Sequence, residues 1–214
     1  MQKPLEIVAD LGLEEDVDRL FRETITHFDG RLDLLVNNAG ISWPVSHEDA
    51  DKCYEAFKAI IQVNLNSSVR LTLLAAPALR STAQLSGGGS RTSIVFVGSI
   101  GSQRPTEALA AYSSSKAALL MYARSMASEL GPHVRVNTIV PGPVATKIVE
   151  RAGSSLEQFE AACGSKTILG RIGWPEEIAE AILFLADSKK AGFITGTELV
   201  IDGGCLTAPI CWSK

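Results

Sequence analysis

The chain has 214 residues, 46% of them hydrophobic, and 20 basic against 24 acidic side chains leave a net charge of −4. That length suits one large or two small domains, with enough apolar surface for a substantial core. Charge is dispersed without the basic stripe of a nucleic-acid binder, and no apolar run reaches the ~18 residues of a membrane span.

The start, Met1-Gln2-Lys3-Pro4-Leu5, reads as no secretory signal, so a cytoplasmic location is expected. Leu5 to Ala9 is a short apolar run interrupted by Glu6 and predicts a strand. Glu14 to Phe28 carries Val17, Leu20, Phe21, Ile25 and Phe28 on one helical face and closes at Asp29-Gly30. Leu32 to Val36 predicts the next strand, which leaves through Asn37-Asn38-Ala39-Gly40. Two helical stretches follow, Glu48 to Ala59 and Val63 to Leu79, then a flexible connection, Ser86-Gly87-Gly88-Gly89-Ser90. Ser93 to Val97 is continuously apolar enough for a buried strand. Ala110 to Leu130 is the most helix-like segment, stopped by Gly131-Pro132. Val134 to Val140 is the next strand, broken by Pro141-Gly142-Pro143. Leu156 to Cys163 predicts a short lid helix, Pro175 to Leu185 a helix with proline at its first position, and Glu198 to Ile201 the last strand before Asp202-Gly203-Gly204.

Strands separated by helices imply right-handed βαβ units and a parallel sheet covered on both faces. With no repeat and no long linker, one domain over residues 1–214 is the economical reading. Ligands of such sheets sit beyond the carboxyl ends of the strands, here just after Val36, Val97 and Val140. The cysteines, Cys53, Cys163, Cys205 and Cys211, include no CxxC pair, and no histidine completes a zinc pattern. They are expected to be thiols in a reducing compartment, although Cys205 and Cys211 are six apart and could approach.

The strand ends carry the chemistry. Gly98-Ser99 leaves one strand, and the following helix holds Tyr112-Ser113-Ser114-Ser115-Lys116, with Tyr112 and Lys116 four apart on one face. A free tyrosine, with a pKa near ~10, is a poor acid or base at neutral pH. A neighbouring ammonium favours its phenolate, and a phenol so tuned can pass a proton to or from an alcohol or carbonyl oxygen. A serine hydroxyl can hold that oxygen as charge develops. No side chain carries hydride, so a nicotinamide cofactor would supply it.

Asn-Asn-Ala-Gly after one strand, Ser99 thirteen residues before Tyr112, and Pro-Gly after the next strand form an ordered set. With Arg171-Ile172-Gly173-Trp174-Pro175-Glu176-Glu177-Ile178-Ala179 and Val200-Ile201-Asp202-Gly203-Gly204, it resembles the short-chain dehydrogenase/reductase family across essentially the whole chain. The resemblance implies a Rossmann-like, doubly wound parallel α/β sheet, and an NAD(P)(H)-dependent oxidoreductase that interconverts an alcohol and a carbonyl. It implies Tyr112 as acid/base, Lys116 as the group that lowers its pKa and meets the nicotinamide ribose, and Ser99 as the holder of the substrate oxygen. Asn64 would interrupt a helix and hold a proton-relaying water. The cofactor, NAD or NADP, would be met by Asp10 and Leu11 at the adenine, by Asn38, Ala39 and Gly40 at the adenosine ribose, and by Pro141, Gly142, Val144 and Thr146 near the nicotinamide carboxamide. The loop from Ala145 to Leu169 would be a substrate lid, with Gly153 and Gly164 as hinges. The family pairs the helices corresponding to Val63–Leu79 and Ala110–Leu130, which would give a homodimer or homotetramer.

One departure stands out. The family opens with a strand, a Thr-Gly-x-x-x-Gly-x-Gly turn and a helix, and the turn and helix N-terminus bind the pyrophosphate. Nothing of that kind precedes Leu5, so an N-terminally truncated domain is expected, lacking at least one unit of roughly 30 residues. Cofactor binding would be compromised. Leu5 to Ala9 would be orphaned or paired with Leu32 to Val36, and an apolar strand edge would be exposed. Two functional readings follow: an oxidoreductase, or a non-catalytic relative acting through subunit or partner binding. A hydrolase lacks support, since there is no Gly-x-Ser-x-Gly elbow and His27, His47 and His133 have no triad context.

Overall fold

The structure is a computed structural model that describes residues 4–44, 48–85, 92–151 and 153–208. His47, Cys211 and the Ser86–Ser90 connection lie outside the described residues.

Four strands, β1 (Leu34–Asn37), β2 (Thr92–Val97), β3 (Val134–Pro141) and β4 (Glu198–Ile201), form a parallel sheet in the order β1-β2-β3-β4. Val36 pairs with Val95, Ile94 with Val136 and Val140 with Val200. Every residue of β2 and β3 but the terminal Pro141 is buried, as expected where helices cover both faces. Side chains alternate across the pleat. Ile94 and Phe96 of β2 and Val134 and Val136 of β3 face α3 (Ser67–Leu85) and α4 (Ala110–Leu130), meeting Ala75, Leu79, Leu119, Ala123 and Met126. Val95, Val97 and Ile139 face the other way, onto Ile178 and Leu185 of α7 (Pro175–Ala186). The domain is therefore a Rossmann-like, doubly wound sheet that lacks the first βαβ segment within these residues.

α1 (Glu14–His27) begins with Glu14, Glu15 and Asp16, acidic groups that complement the positive end of the helix dipole. It lies on α3, tied by a bidentate Asp18–Arg70 pair at 2.7 Å. The strand predicted at Leu5–Ala9 is not formed; residues 4–10 have no ladder partner. A strand needs a neighbour, and β1 pairs only with β2. The segment is held instead by side chains of α1: Arg19 donates to the Val8 carbonyl at 2.8 Å, and the Asp10 amide donates to Asp16 at 2.7 Å. Of the two outcomes expected for it, orphaning is the one found.

β1 begins two residues later than Leu32, because the Leu32 amide donates to Thr82 Oγ1 rather than to the sheet. The two helices read as separate run on through a π turn: α2 (Ala50–Ile61), Gln62–Asn66, then α3. Beyond β3 lie α5 (Lys147–Arg151), α6 (Leu156–Cys163) and a 3-10 turn, Gly164–Lys166, in the expected lid region. Gly153 there has φ +84°, a left-handed geometry suited to glycine, whereas Gly164 is buried in the 3-10 turn. α8 (Ser188–Ala191) precedes β4. Arg135, inside β3 and 2% exposed, donates to the Leu185, Ala186 and Ala191 carbonyls, and so satisfies the C-terminal ends of α7 and α8.

Candidate active site

Beyond the carboxyl ends of β1 and β2, three segments converge: the loop after β1, the turn after β2, and the first turns of α4. Ser99 leaves β2, and its Oγ accepts from the Gly101 amide at 3.1 Å and lies near enough to the Tyr112 phenol to pull its pKa down. Tyr112 sits in the first turn of α4. Lys116, one turn later, is 3% exposed, donates to the Val97 carbonyl at 2.8 Å, and stands 5.8 Å from the centroid of the Tyr112 ring. Burial disfavours the charged forms of both groups. It raises the Tyr112 phenol, against the lowering pull of Ser99, and brings Lys116 down to about 8. The ammonium thus bonds a backbone carbonyl one helical turn from the phenol ring.

Asn64 occupies the π turn, fully buried. Its Oδ1 accepts from the Ile41 amide at 2.8 Å; its Nδ2 donates to the Ile41 carbonyl and to Ser115 Oγ, both at 3.0 Å. Ser115 Oγ in turn donates to the Tyr112 carbonyl at 2.7 Å. The extra residue of a π turn swings Asn64 out of the helical register toward the loop. Ser115 was not singled out in the sequence, yet it lies three residues after Tyr112, the spacing of one helix face.

Gly40 closes the cluster. A Cβ there would stand 3.4 Å from Lys116 Nζ and 3.5 Å from Asn64 Oδ1, so glycine keeps the space over the ammonium open. Asn38 and Ala39, just before it, are exposed. Pro141 ends β3. Gly142 donates to the Ile201 carbonyl at 3.0 Å and lies so close to Asp202 that a Cβ would come within 2.7 Å of its Cα. Val144 bridges to Gly173, and Thr146 is exposed ahead of α5. Asp10 is engaged locally, its Oδ1 accepting from the Gly12 amide at 2.8 Å, while α1 begins after Leu13. Asp10 is therefore not the helix cap, and neither it nor Leu11 shares a hydrogen bond with the cluster.

The model of the family described as enoyl-(acyl carrier protein) reductase matches residues 1–206. The chain is 36% identical over 202 residues to the L-fucose dehydrogenase of Bos taurus, covering 92% of this chain and 70% of that one. This chain belongs to the short-chain dehydrogenase/reductase family. Among solved structures, a short-chain dehydrogenase/reductase from Caenorhabditis elegans with cofactor superposes with a TM-score of 0.82 at 30% identity, covering 95% of this chain and 76% of that one. The 3-ketoacyl-(acyl-carrier-protein) reductase of Brucella melitensis complexed with NADH gives 0.79 at 31%, covering 93% and 77%. The coarse function is accordingly that of an NAD(P)-dependent oxidoreductase.

The residues present fit the nicotinamide end of such a cofactor. An ammonium carries three donors, Lys116 holds one in a buried setting, and Gly40 leaves the adjoining space clear. The glycine-rich turn that would hold the pyrophosphate is not among the 214 residues.

Proposed function

We propose that the chain interconverts an alcohol and a carbonyl, with Tyr112 as acid/base. The observation that carries this reading is the convergence of Ser99 and Tyr112 beyond the strand ends, with buried Lys116 5.8 Å from the Tyr112 ring. A bound nicotinamide supplies or accepts the hydride at carbon. Ser99 orients the substrate oxygen, Tyr112 gives it a proton during reduction or takes one during oxidation, and burial excludes competing water. Lys116 would hold the cofactor ribose, and its positive charge would favour the phenolate. Asn64 positions this machinery by holding the Ile41 loop to α4 through Ser115. Asn38, Ala39, Gly40, Pro141, Gly142, Val144 and Thr146 line the approach for NAD or NADP, and Asp10 with Leu11 meets the adenine.

The test is Tyr112→Phe. Nicotinamide oxidation or reduction with a carbonyl or alcohol falls by at least about a hundredfold, while cofactor binding is unchanged. Equal turnover by the variant overturns the assignment. Leu73 on α3 and Met121 on α4, 55% and 58% exposed, favour a second element of the reading: copies of the chain pair across these two helices. Leu73→Lys then lowers the mass measured by light scattering.

A further inference from the structure

A cavity of about 100 Å³ opens against the first turn of α4, walled by Tyr112, Trp43, Cys53, Phe57 and residues 108–111. Among the described residues its lining carries no charged side chain. Trp43 reaches it from the loop that follows Gly40, and Cys53 and Phe57 reach it from α2, so three elements build one apolar recess onto the tyrosine. Ala108, in that wall, has φ +58°, a left-handed conformation that is costly for a residue with a Cβ. Strain of this sort persists where the surrounding structure fixes it and collects at sites that bind ligands. Here it turns the backbone of residues 108–111 along the recess.

We infer that this recess receives an apolar group of the substrate, and that the substrate class is carbonyls or alcohols bearing a compact branched alkyl group rather than polyhydroxylated ones. The inference rests on Tyr112 being the acid/base. Size sets the upper limit: an engineered apolar cavity of roughly 150 Å³ admits benzene, so the smaller recess suits a group of about four carbons. Chemistry sets the preference. The indole of Trp43 and the phenyl ring of Phe57 offer a polyol little for its hydroxyls, and a hydroxyl that loses its water without a replacement partner is penalised. An alkyl group entering the same space leaves water favourably.

Cys53 provides a readout independent of catalysis. The chain is treated with iodoacetamide, and modification of Cys53, Cys163 and Cys205 is followed by peptide mass spectrometry. 4-Methyl-2-pentanone slows alkylation of Cys53 several-fold and leaves Cys163 unchanged; erythrulose, a polyhydroxy ketone of similar size, needs at least about tenfold higher concentration for the same protection. Phe57→Asp removes the protection by 4-methyl-2-pentanone. Equal protection by both ketones, or none by either, overturns the inference. Turnover of NADH or NADPH measured on the same two ketones separates the claims. Protection without turnover retains the recess and removes the oxidoreductase reading, whereas turnover without selective protection retains the enzyme and removes the recess.

Discussion

Asn64→Ala should destabilise the chain by about 3 kcal/mol, because the amide makes three hydrogen bonds in a fully dry setting. Ile41 loses partners for both its amide and its carbonyl, and Ser115 loses the donor that faces its hydroxyl. Each bond contributes about 1 kcal/mol net, and buried groups left unpaired cost more. Asn64→Asp separates geometry from volume. The aspartate fills the same space but turns the Nδ2 donor into an acceptor that faces the Ile41 carbonyl, so its loss should equal or exceed that of alanine. Urea unfolding followed by circular dichroism reads the effect. With a slope of about 2 kcal/mol per M, the midpoint for Asn64→Ala falls about 1.5 M. A loss under about 1 kcal/mol, or an aspartate variant more stable than the alanine one, would refute the view that this amide clamps the loop after β1 to α4.

Three more predictions use other parts of the fold. Arg135→Met strips the C-terminal carbonyls of α7 and α8 of their donor and should cost about 3 kcal/mol, seen as a melting temperature lower by about 9 °C. Gly142→Ala drives a Cβ against the Asp202 backbone; overpacking of that kind costs about 2 kcal/mol, and differential scanning fluorimetry should show it. Lys116 carries a sign that can be worked out. Its folded pKa, about 8, lies below the unfolded value of 10.5, so the unfolded chain binds more protons between those pH values. Burial of the ammonium therefore costs stability in full below pH 8, and the penalty fades as pH rises toward the unfolded pKa. Lys116→Met removes a penalty of about 3 kcal/mol and strips the Val97 carbonyl of its donor at about 1 kcal/mol, so it should be more stable than the parent chain by about 2 kcal/mol at neutral pH, with the advantage shrinking at alkaline pH in paired urea titrations.

What the sequence showed and what it hid follow from the range of the forces. α4 and α6 were legible to the residue because caps and breakers are local: Gly131-Pro132 ends one, and Ser155 with Gln158 forms a capping box that opens the other. β2 was legible from a nearly continuous apolar run, and β3 from Val134, Val136, Ile139 and Val140 ahead of the Pro141-Gly142-Pro143 break. Leu5–Ala9 was misread because its composition suits a strand, while strand formation depends on a neighbour that composition does not specify. The interruption at Asn64 was expected from the family resemblance alone and matches the π turn, which the residues themselves did not signal. Gln62–Asn66 has the propensity of ordinary helix, and only the Ile41 and Ser115 partners, 23 and 51 residues from Asn64, pull it out of register. Ser99, Tyr112 and Lys116 were expected beside one another and lie so, whereas Gly40, expected at the adenosine ribose, lies against Lys116. The role of Arg135 was illegible, since a charged residue in an apolar strand signals interruption unless its carbonyl acceptors, 50 or more residues away, are known.

The central claim is that the cluster around Lys116 receives the nicotinamide end of NADH or NADPH. Titration of the chain with each dinucleotide, followed by nicotinamide fluorescence, addresses it directly, with Lys116→Met as the comparison because that variant is predicted to stay folded and to gain stability. The account predicts saturable binding to the parent chain and an affinity at least about tenfold weaker in the variant. A folded parent chain that binds neither dinucleotide, or a variant that binds as well as its parent, would contradict it.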